Sequence, residues 1–325
     1  MAYNDRCGMV DAFGGIEDLK HGVIRCVGVA RERFEEDALR ILRAVRFAAQ
    51  LGFEIEKETA NAARTLAGNL KDISAERIQT ELVKLLVSPH PEMLRTAYEL
   101  GITRVVLPEF DVMMETPQHH PHHMYSVGEH TLKALEFTDP EKVLRLSVLF
   151  HDFGKPQTKT TADGVDHFHG HAKISAQETV RIMRRLKFDN ATMDQVKRIV
   201  LYHDVRPQPD ERQIRRLLHR AGEDIFPGLF QVMGADILAQ SEYRKMEKLV
   251  NLERVHQVYD EILKRKDCIS LKNLQVTGKD LIAAGMEPGK KIGEILNQML
   301  EDVLETPEHN EREYLLKTYG NNTEN

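Results

Sequence analysis

Cysteine is scarce: Cys7, Cys26 and Cys268 are the three in 325 residues. So few thiols, so widely spaced, exclude a disulfide framework and a cysteine-built metal site, and they predict a reducing, cytoplasmic setting. Tryptophan is absent and no low-complexity segment occurs. No apolar run approaches the roughly 18–20 residues that span a bilayer, so no membrane is expected as a partner. Met1-Ala2-Tyr3-Asn4-Asp5 opens without a basic-then-apolar signal pattern. Nor is positive charge in excess. Lys and Arg number 45 against 51 Asp and Glu, a formal charge of −6, which excludes a uniformly basic nucleic-acid coat and leaves room for a local basic face. The chain does contain 41% hydrophobic and 30% charged residues, enough for a buried core and a polar surface. At about 100–200 residues per domain the length predicts two or three domains.

Residues 1–32 stand apart from the rest of the chain. Val10-Asp11-Ala12-Phe13-Gly14-Gly15 and Ile24-Arg25-Cys26-Val27-Gly28 predict two short strands about a Gly-Gly turn. Such strands cannot bury a face alone. From Phe34 the apolar period becomes helical. Asp37 to Gln50 sets Leu39, Leu42, Val45 and Ala49 on one stripe, and Gly52 stops it. Further helices are expected over 59–66, 74–87 and 91–100. The segment 107–121 holds three prolines and predicts an irregular bridge. Helices are then expected over 126–136, 140–151, 174–186, 192–203, 211–221 and 229–243, with a long polar one over 244–265. An extended piece at 270–276 precedes helices at 278–284, 289–304 and 310–319.

Nine of the 15 histidines fall between His119 and His171. His151-Asp152 closes the apolar run Leu144–Phe150, and His203-Asp204 ends another expected helix. Asp236 lies within the mostly apolar segment 230–239, where a lone carboxylate is costly and needs a partner or a metal. Neutral imidazoles and carboxylates from separate helices can surround a divalent cation, and the mixed N/O set suits Mg, Mn, Fe, Ni, Co or Zn better than Ca. A polar histidine loop with chance His-Asp adjacency is the alternative reading, strongest for His119 to His123.

Glu129-His130-Thr131-Leu132, His151-Asp152-Phe153-Gly154-Lys155-Pro156 and Asp236 resemble the HD superfamily of metal-dependent phosphohydrolases. The resemblance implies metal ligands His130, His151, Asp152 and Asp236. His171 and His203 match positions for a second metal or a phosphate. His151, Asp152 and Lys155 would be the catalytic group, with Lys155 near the substrate phosphate.

A second set of residues carries a different likeness. On the helix Glu36-Asp37-Ala38-Leu39-Arg40 and onward, Arg40 and Arg43 share a face, Arg46 extends the row, and Glu36 can orient Arg40 as an i,i+4 pair. A fixed Asp and Arg side by side can read donors and acceptors on a nucleobase edge; an ordinary salt-bridged amphipathic helix is the alternative. Phe34 to Ala48, together with the preceding Val10 to Leu19, resembles bacterial CCA-adding enzymes and poly(A) polymerases at the junction of catalytic head and neck. Ile73-Ser74-Ala75-Glu76-Arg77-Ile78 matches a bracing neck motif, and residues 270–320 resemble the family's tail. This implies Asp37, Arg40 and Arg43 as nucleotide-binding residues, with CTP or ATP and tRNA as partners. The family's polymerising site needs a Gly-Ser turn and an Asp-x-Asp strand, and the 325 residues contain no Asp-x-Asp. Two-metal phosphoryl transfer requires those carboxylates, so this chain alone is not expected to polymerise, and a separate catalytic head is a candidate partner.

Residues 181–220 carry eleven Lys or Arg against five Asp or Glu. Arg184, Arg185, Arg215 and Arg216 are candidate RNA contacts, a solvated salt-bridged face being the alternative. The expected fold is mainly α: an elongated multi-domain helical protein with a short β remnant. Its expected parts are a head remnant (1–32), a helical neck (33–115), an HD domain (116–243) and a helical body and tail (244–325).

Overall fold

The structure is a computed structural model that describes residues 2–6, 8–122 and 124–320. It is mainly helical, as expected. The chain divides into two compact units: Met1–Asp204 with Gln231–Met246, and Val205–Phe230 with Glu247–Asn325.

The first unit opens with strands β1 (Ala2–Asn4) and β2 (Gly8–Val10), paired antiparallel with Ala2 opposite Val10. Gly14-Gly15 does not turn a hairpin, contrary to expectation. It begins helix α1 (Gly15–His21), because the Asp11 carboxylate accepts from the Gly15 and Ile16 amides at 2.9 and 2.7 Å. Strand β3 (Val23–Ile24) pairs in parallel with β4 (Glu54–Ile55). Between them lie α2 (Ala30–Glu36) and α3 (Leu39–Leu51). The helix expected to begin at Glu36 and Asp37 begins at Leu39 instead, and Asp37 is extended at φ −150° in the break between α2 and α3. Gly52, at φ 67°, ends α3 as expected.

Then come α4 (Lys57–Leu66), α5 (Ala75–Leu86), α6 (Leu94–Glu99), α7 (Thr103–Val106) and α8 (Pro108–Met114). The last of these occupies the expected irregular bridge. Pro108 sits in its first turn, where the missing N–H costs nothing. The apolar stripe of α3, with Ile41, Leu42, Val45 and Ala48, is buried, as are Leu82, Leu85 and Leu86 of α5, which packs against it. Each fully buried Leu or Ile contributes about 1.5–3 kcal/mol.

The rest of this unit is α9 (Val127–Glu136), α10 (Lys142–Phe150), α11 (Lys155–Thr158), the hairpin β5 (Thr160–Ala162) and β6 (Val165–His167), α12 (His171–Arg185) and α13 (Asn190–Tyr202). Ser126, Glu141 and Asp189 cap α9, α10 and α13 through side-chain oxygens. Gly128 lets α9 approach α8: a Cβ there would meet the Met114 backbone at 2.7 Å.

The second unit begins with α14 (Glu211–Ala221). Helix α15 (Phe226–Ala239) carries the chain back into the first unit, and α16 (Lys245–Arg265) carries it out again. A 3₁₀ turn at Leu271–Asn273 replaces the expected extended piece. Helices α17 (Gly278–Ala283), α18 (Lys290–Glu305) and α19 (Arg312–Tyr319) pack around a core that includes Leu281, Met299, Val303 and Leu315. No described helix is long and apolar enough to cross a membrane.

Candidate functional site

Five helices deliver six buried side chains to one place in the first unit. His130 projects from the middle of α9, Asp236 from α15, His151 and Asp152 from the end of α10, His171 from the start of α12 and His203 from the end of α13. His130 Nε2 lies 3.0 Å from Asp236 Oδ1 and 3.9 Å from Asp152 Oδ2. His151 Nε2 lies 3.1 Å from Asp152 Oδ2 and 3.9 Å from Asp236 Oδ1. On the other side of the same carboxylate, Asp152 Oδ1 is 3.4 Å from His171 Nε2 and 3.8 Å from His203 Nε2. The structure thus brings together all the residues read as metal ligands, with Asp152 shared between two groups: His130, His151, Asp152 and Asp152, His171, His203.

The tautomers follow from the backbone. His151, His171 and His203 each place Nδ1 against a carbonyl three residues earlier, of Val148, Phe168 and Val200, at 2.6, 2.9 and 2.7 Å. A carbonyl only accepts, so each Nδ1 donates, and in the neutral ring each Nε2 keeps its lone pair. His171 Nε2 and His203 Nε2 then face each other at 3.2 Å. Two lone pairs that close require a proton or a cation between them. His151 Nε2 and Asp152 Oδ1 have no well-aligned hydrogen bond despite their burial, which costs about 1–3 kcal/mol per atom if nothing satisfies it; Asp152 Oδ2 has the Lys155 ammonium 2.7 Å away. Ligand atoms about 2.1 Å from a tetrahedral ion are about 3.4 Å apart, and the spacing here is of that size. The donor set fits a divalent cation.

Charge couples these buried groups to one another. Burial works against a charged Asp152, but His151, Lys155 and His171 outweigh it and hold the carboxyl well below its usual range. Burial also disfavours a charged His151, and Asp152 and Asp236 reverse that, raising it. His203 is pushed well below the imidazole range by burial and by the neighbouring His151 and His171.

Further side chains complete the shell, and Gln240 is one that the sequence reading missed. Gln240, four residues after Asp236 and just past the end of α15, donates to Asp236 Oδ2 at 3.1 Å; the i,i+4 spacing was its signal. Lys155 is buried, with Nζ 2.7 Å from Asp152 Oδ2, and it donates to Gln118 Oε1 at 2.9 Å. Gly154 permits α12 to pass close by: an added Cβ would sit 2.4 Å from the His171 carbonyl oxygen and 2.7 Å from the Ser175 nitrogen. Its amide donates to Ser175 Oγ at 2.8 Å. His119, read as a loop residue, bonds through its amide to buried Asp166 at 2.7 Å. His123 lies outside the described residues.

The nucleotide-reading candidates lie at the break between α2 and α3. Asp37 accepts from Arg77 Nη2 at 2.8 Å and from the Leu39 amide at 3.1 Å. Arg40 donates to Glu36 at 2.7 Å and to the Arg33 carbonyl at 2.9 Å. The Glu36–Arg40 pair forms across two helices, not within one. Burial opposes ionisation of Asp37, but Arg77 prevails and lowers its pKa. Arg43 is exposed on α3. Arg46 does not extend that row: it is buried against Glu81 at 2.7 Å.

The basic candidates separate. Arg184 is exposed, and Arg185 grips Glu109 with two bonds of 2.7 and 2.8 Å. Arg216 pairs with Glu305 at 3.1 Å. Arg215 corrects the expectation of an RNA contact. It is 3% exposed, and its guanidinium donates to the Leu304 and Glu305 carbonyls and pairs with Asp267 at 3.3 Å. A guanidinium consumed by buried carbonyls cannot also hold a phosphate.

Residues 52–114 match the family model for the RNA- and SrmB-binding site of polymerase A, and residues 158–319 match that of tRNA nucleotidyltransferase domain 2. An A-adding tRNA nucleotidyltransferase of Deinococcus radiodurans is 33% identical over 312 residues, covering 90% of this chain and 70% of that protein. The chain belongs to the tRNA nucleotidyltransferase family. A CC-adding tRNA nucleotidyltransferase of Thermus thermophilus is 34% identical, over 90% of this chain and 68% of its own. The solved Bacillus stearothermophilus CCA-adding enzyme in complex with CTP shares the fold seen here at a TM-score of 0.65 and 23% identity, over 97% of this chain and 70% of that one.

Proposed function

We propose that these residues form the base-reading and tRNA-holding portion of a tRNA nucleotidyltransferase, serving CCA addition or 3′ adenylation, with the polymerising carboxylates on polypeptide outside them. In this reading 1–32 ends the catalytic head, 33–115 is the neck, 116–243 the HD domain and 244–325 the body and tail. The observation that carries it is the pair Asp37 and Arg40, each locked by a second charged residue beside the α2–α3 break. One presents acceptors and the other donors, which is what the edge of an incoming CTP or ATP base demands. In this reading Arg43, exposed on α3, adds a third contact to the nucleotide. Arg184, Arg185 and Arg216 contact tRNA phosphates. Gel shifts with a tRNA transcript across a salt series test this, with Asp37→Ala and Arg40→Ala compared for CTP and ATP binding by calorimetry. Binding that weakens steeply with salt is expected. Absence of a shift at low salt, or nucleotide affinities equal in the variants, refutes the reading.

The convergence of three Nδ1-anchored imidazoles on Asp152 favours a second activity, that of a metal-dependent HD phosphohydrolase on 2′,3′-cyclic or 2′- or 3′-phosphate nucleotides. His130, His151, Asp152 and Asp236 would hold Mg, Mn, Ni, Co or Zn, with His171 and His203 holding a second ion or a phosphate. A bound ion lowers the pKa of water and supplies a hydroxide nucleophile. Lys155 steadies Asp152 and offers its ammonium to the phosphate. Phosphate release or ring opening with each metal, compared with His151→Ala, tests it. Equal rates in both proteins would leave the histidine shell a packing device, and metal analysis of the purified protein checks that outcome.

A further inference from the structure

A strap of chain crosses beside the buried centre and is tied down on both sides of it. Gln118 accepts from Lys155, the neighbour of Asp152. Four residues on, the His122 carbonyl accepts from the Ser241 amide at 2.9 Å, and Ser241 follows Gln240, the partner of Asp236. Aromatic rings gather along this strap. His120 stacks on His122 at 4.9 Å with 26° between planes, His122 lies 4.9 Å from Tyr243, and His120 meets His167 edge-on at 6.5 Å. Tyr243 is 54% exposed although it stands next to this row. The metal shell uses none of these four rings.

A row of aromatic faces, fixed at its two ends to the ligand-bearing elements, suits a flat partner whose phosphate reaches the centre. We infer that Tyr243, braced by His122, is a stacking platform for the base of a nucleotide substrate, so that the centre selects nucleoside phosphates over other phosphate esters. This rests on the hydrolase reading of the centre. Stacking of a base on an aromatic side chain is sequence-tolerant, because every base has a π-face. The platform therefore favours nucleosides as a class over any one base.

Two matched substrate pairs test it, with Mn²⁺ or Ni²⁺ present: adenosine 2′-phosphate against glycerol 2-phosphate, and adenosine 2′,3′-cyclic phosphate against glycerol 1,2-cyclic phosphate. In Tyr243→Leu the ratio of kcat/KM for the adenosine ester to that for the glycerol ester is expected to fall about tenfold, chiefly through KM. Tyr243→Phe, which keeps the ring, retains the ratio, and His122→Ala lowers it. A ratio equal in wild type and Tyr243→Leu, with wild-type hydrolysis intact, overturns the platform and leaves the hydrolase standing. Wild-type rates no higher than those of His151→Ala on either pair remove the hydrolase reading and the platform with it.

Discussion

Gly154→Ala probes how the backbone positions the second ligand group. The new methyl would lie 2.4 Å from the His171 carbonyl oxygen and 2.7 Å from the Ser175 nitrogen, both backbone atoms at the start of α12. Reaching even a 3.0 Å contact requires a displacement of about 0.6 Å, and helix backbone cannot rotate aside as a side chain can. Overpacking of this kind costs about 1–3 kcal/mol. Because α12 carries His171, the shift also opens the 3.4 Å approach of His171 Nε2 to Asp152, whereas His130, His151 and Asp236 stand on other helices. The variant should therefore unfold at lower urea and bind fewer equivalents of Ni²⁺ or Mn²⁺ in a calorimetric titration, with the His130–His151–Asp152 group retained. Gly68→Ala, where an added Cβ meets nothing within 4 Å, is the control and should change stability by less than about 0.5 kcal/mol. Wild-type urea midpoint together with wild-type metal stoichiometry in Gly154→Ala would show that the close passage of α12 does not position His171.

Other substitutions separate neighbouring roles. Arg46→Ala leaves Glu81 buried without its partner and should cost about 3–5 kcal/mol in chemical denaturation, most of it recovered when Arg46→Met is combined with Glu81→Leu. Asp189→Ala removes the cap of α13 and should cost about 1 kcal/mol at neutral pH. The Thr192 amide and hydroxyl lower Asp189 from 3.8 to about 2, so its contribution is fully present above pH 3.8 and is lost as pH falls through about 2. A gap between the two proteins that does not change with pH contradicts this. Arg184→Ala should reduce the slope of log K for tRNA against log salt by about one, whereas Arg215→Ala should lower the unfolding midpoint without changing that slope.

The metal-centre candidates were legible because their chemistry is written in residue type: six imidazoles and carboxylates ending or interrupting apolar helices. The longer helices followed from the apolar period. The features that stayed hidden depend on partners distant in the chain. The break at Asp37 is held by Arg77, 40 residues away. The burial of Arg215 depends on the Leu304 carbonyl, 89 residues on, and that of Arg46 on Glu81 of α5. Helix α8 was hidden by its prolines, since Pro108 starts a helix as readily as it ends one. At Gly14-Gly15 local turn chemistry misled, because the decisive contact is the Asp11 carboxylate.

The first unit is not continuous in sequence: the chain leaves after Asp204 and returns at Gln231, bringing Asp236. A ribosome must therefore finish α15 before His130 meets its carboxylate partner. Protease nicks within 205–230 would leave Asp236 on a different fragment from the histidines, joined to them by packing alone. Neither unit can be cut out as a single uninterrupted stretch of gene.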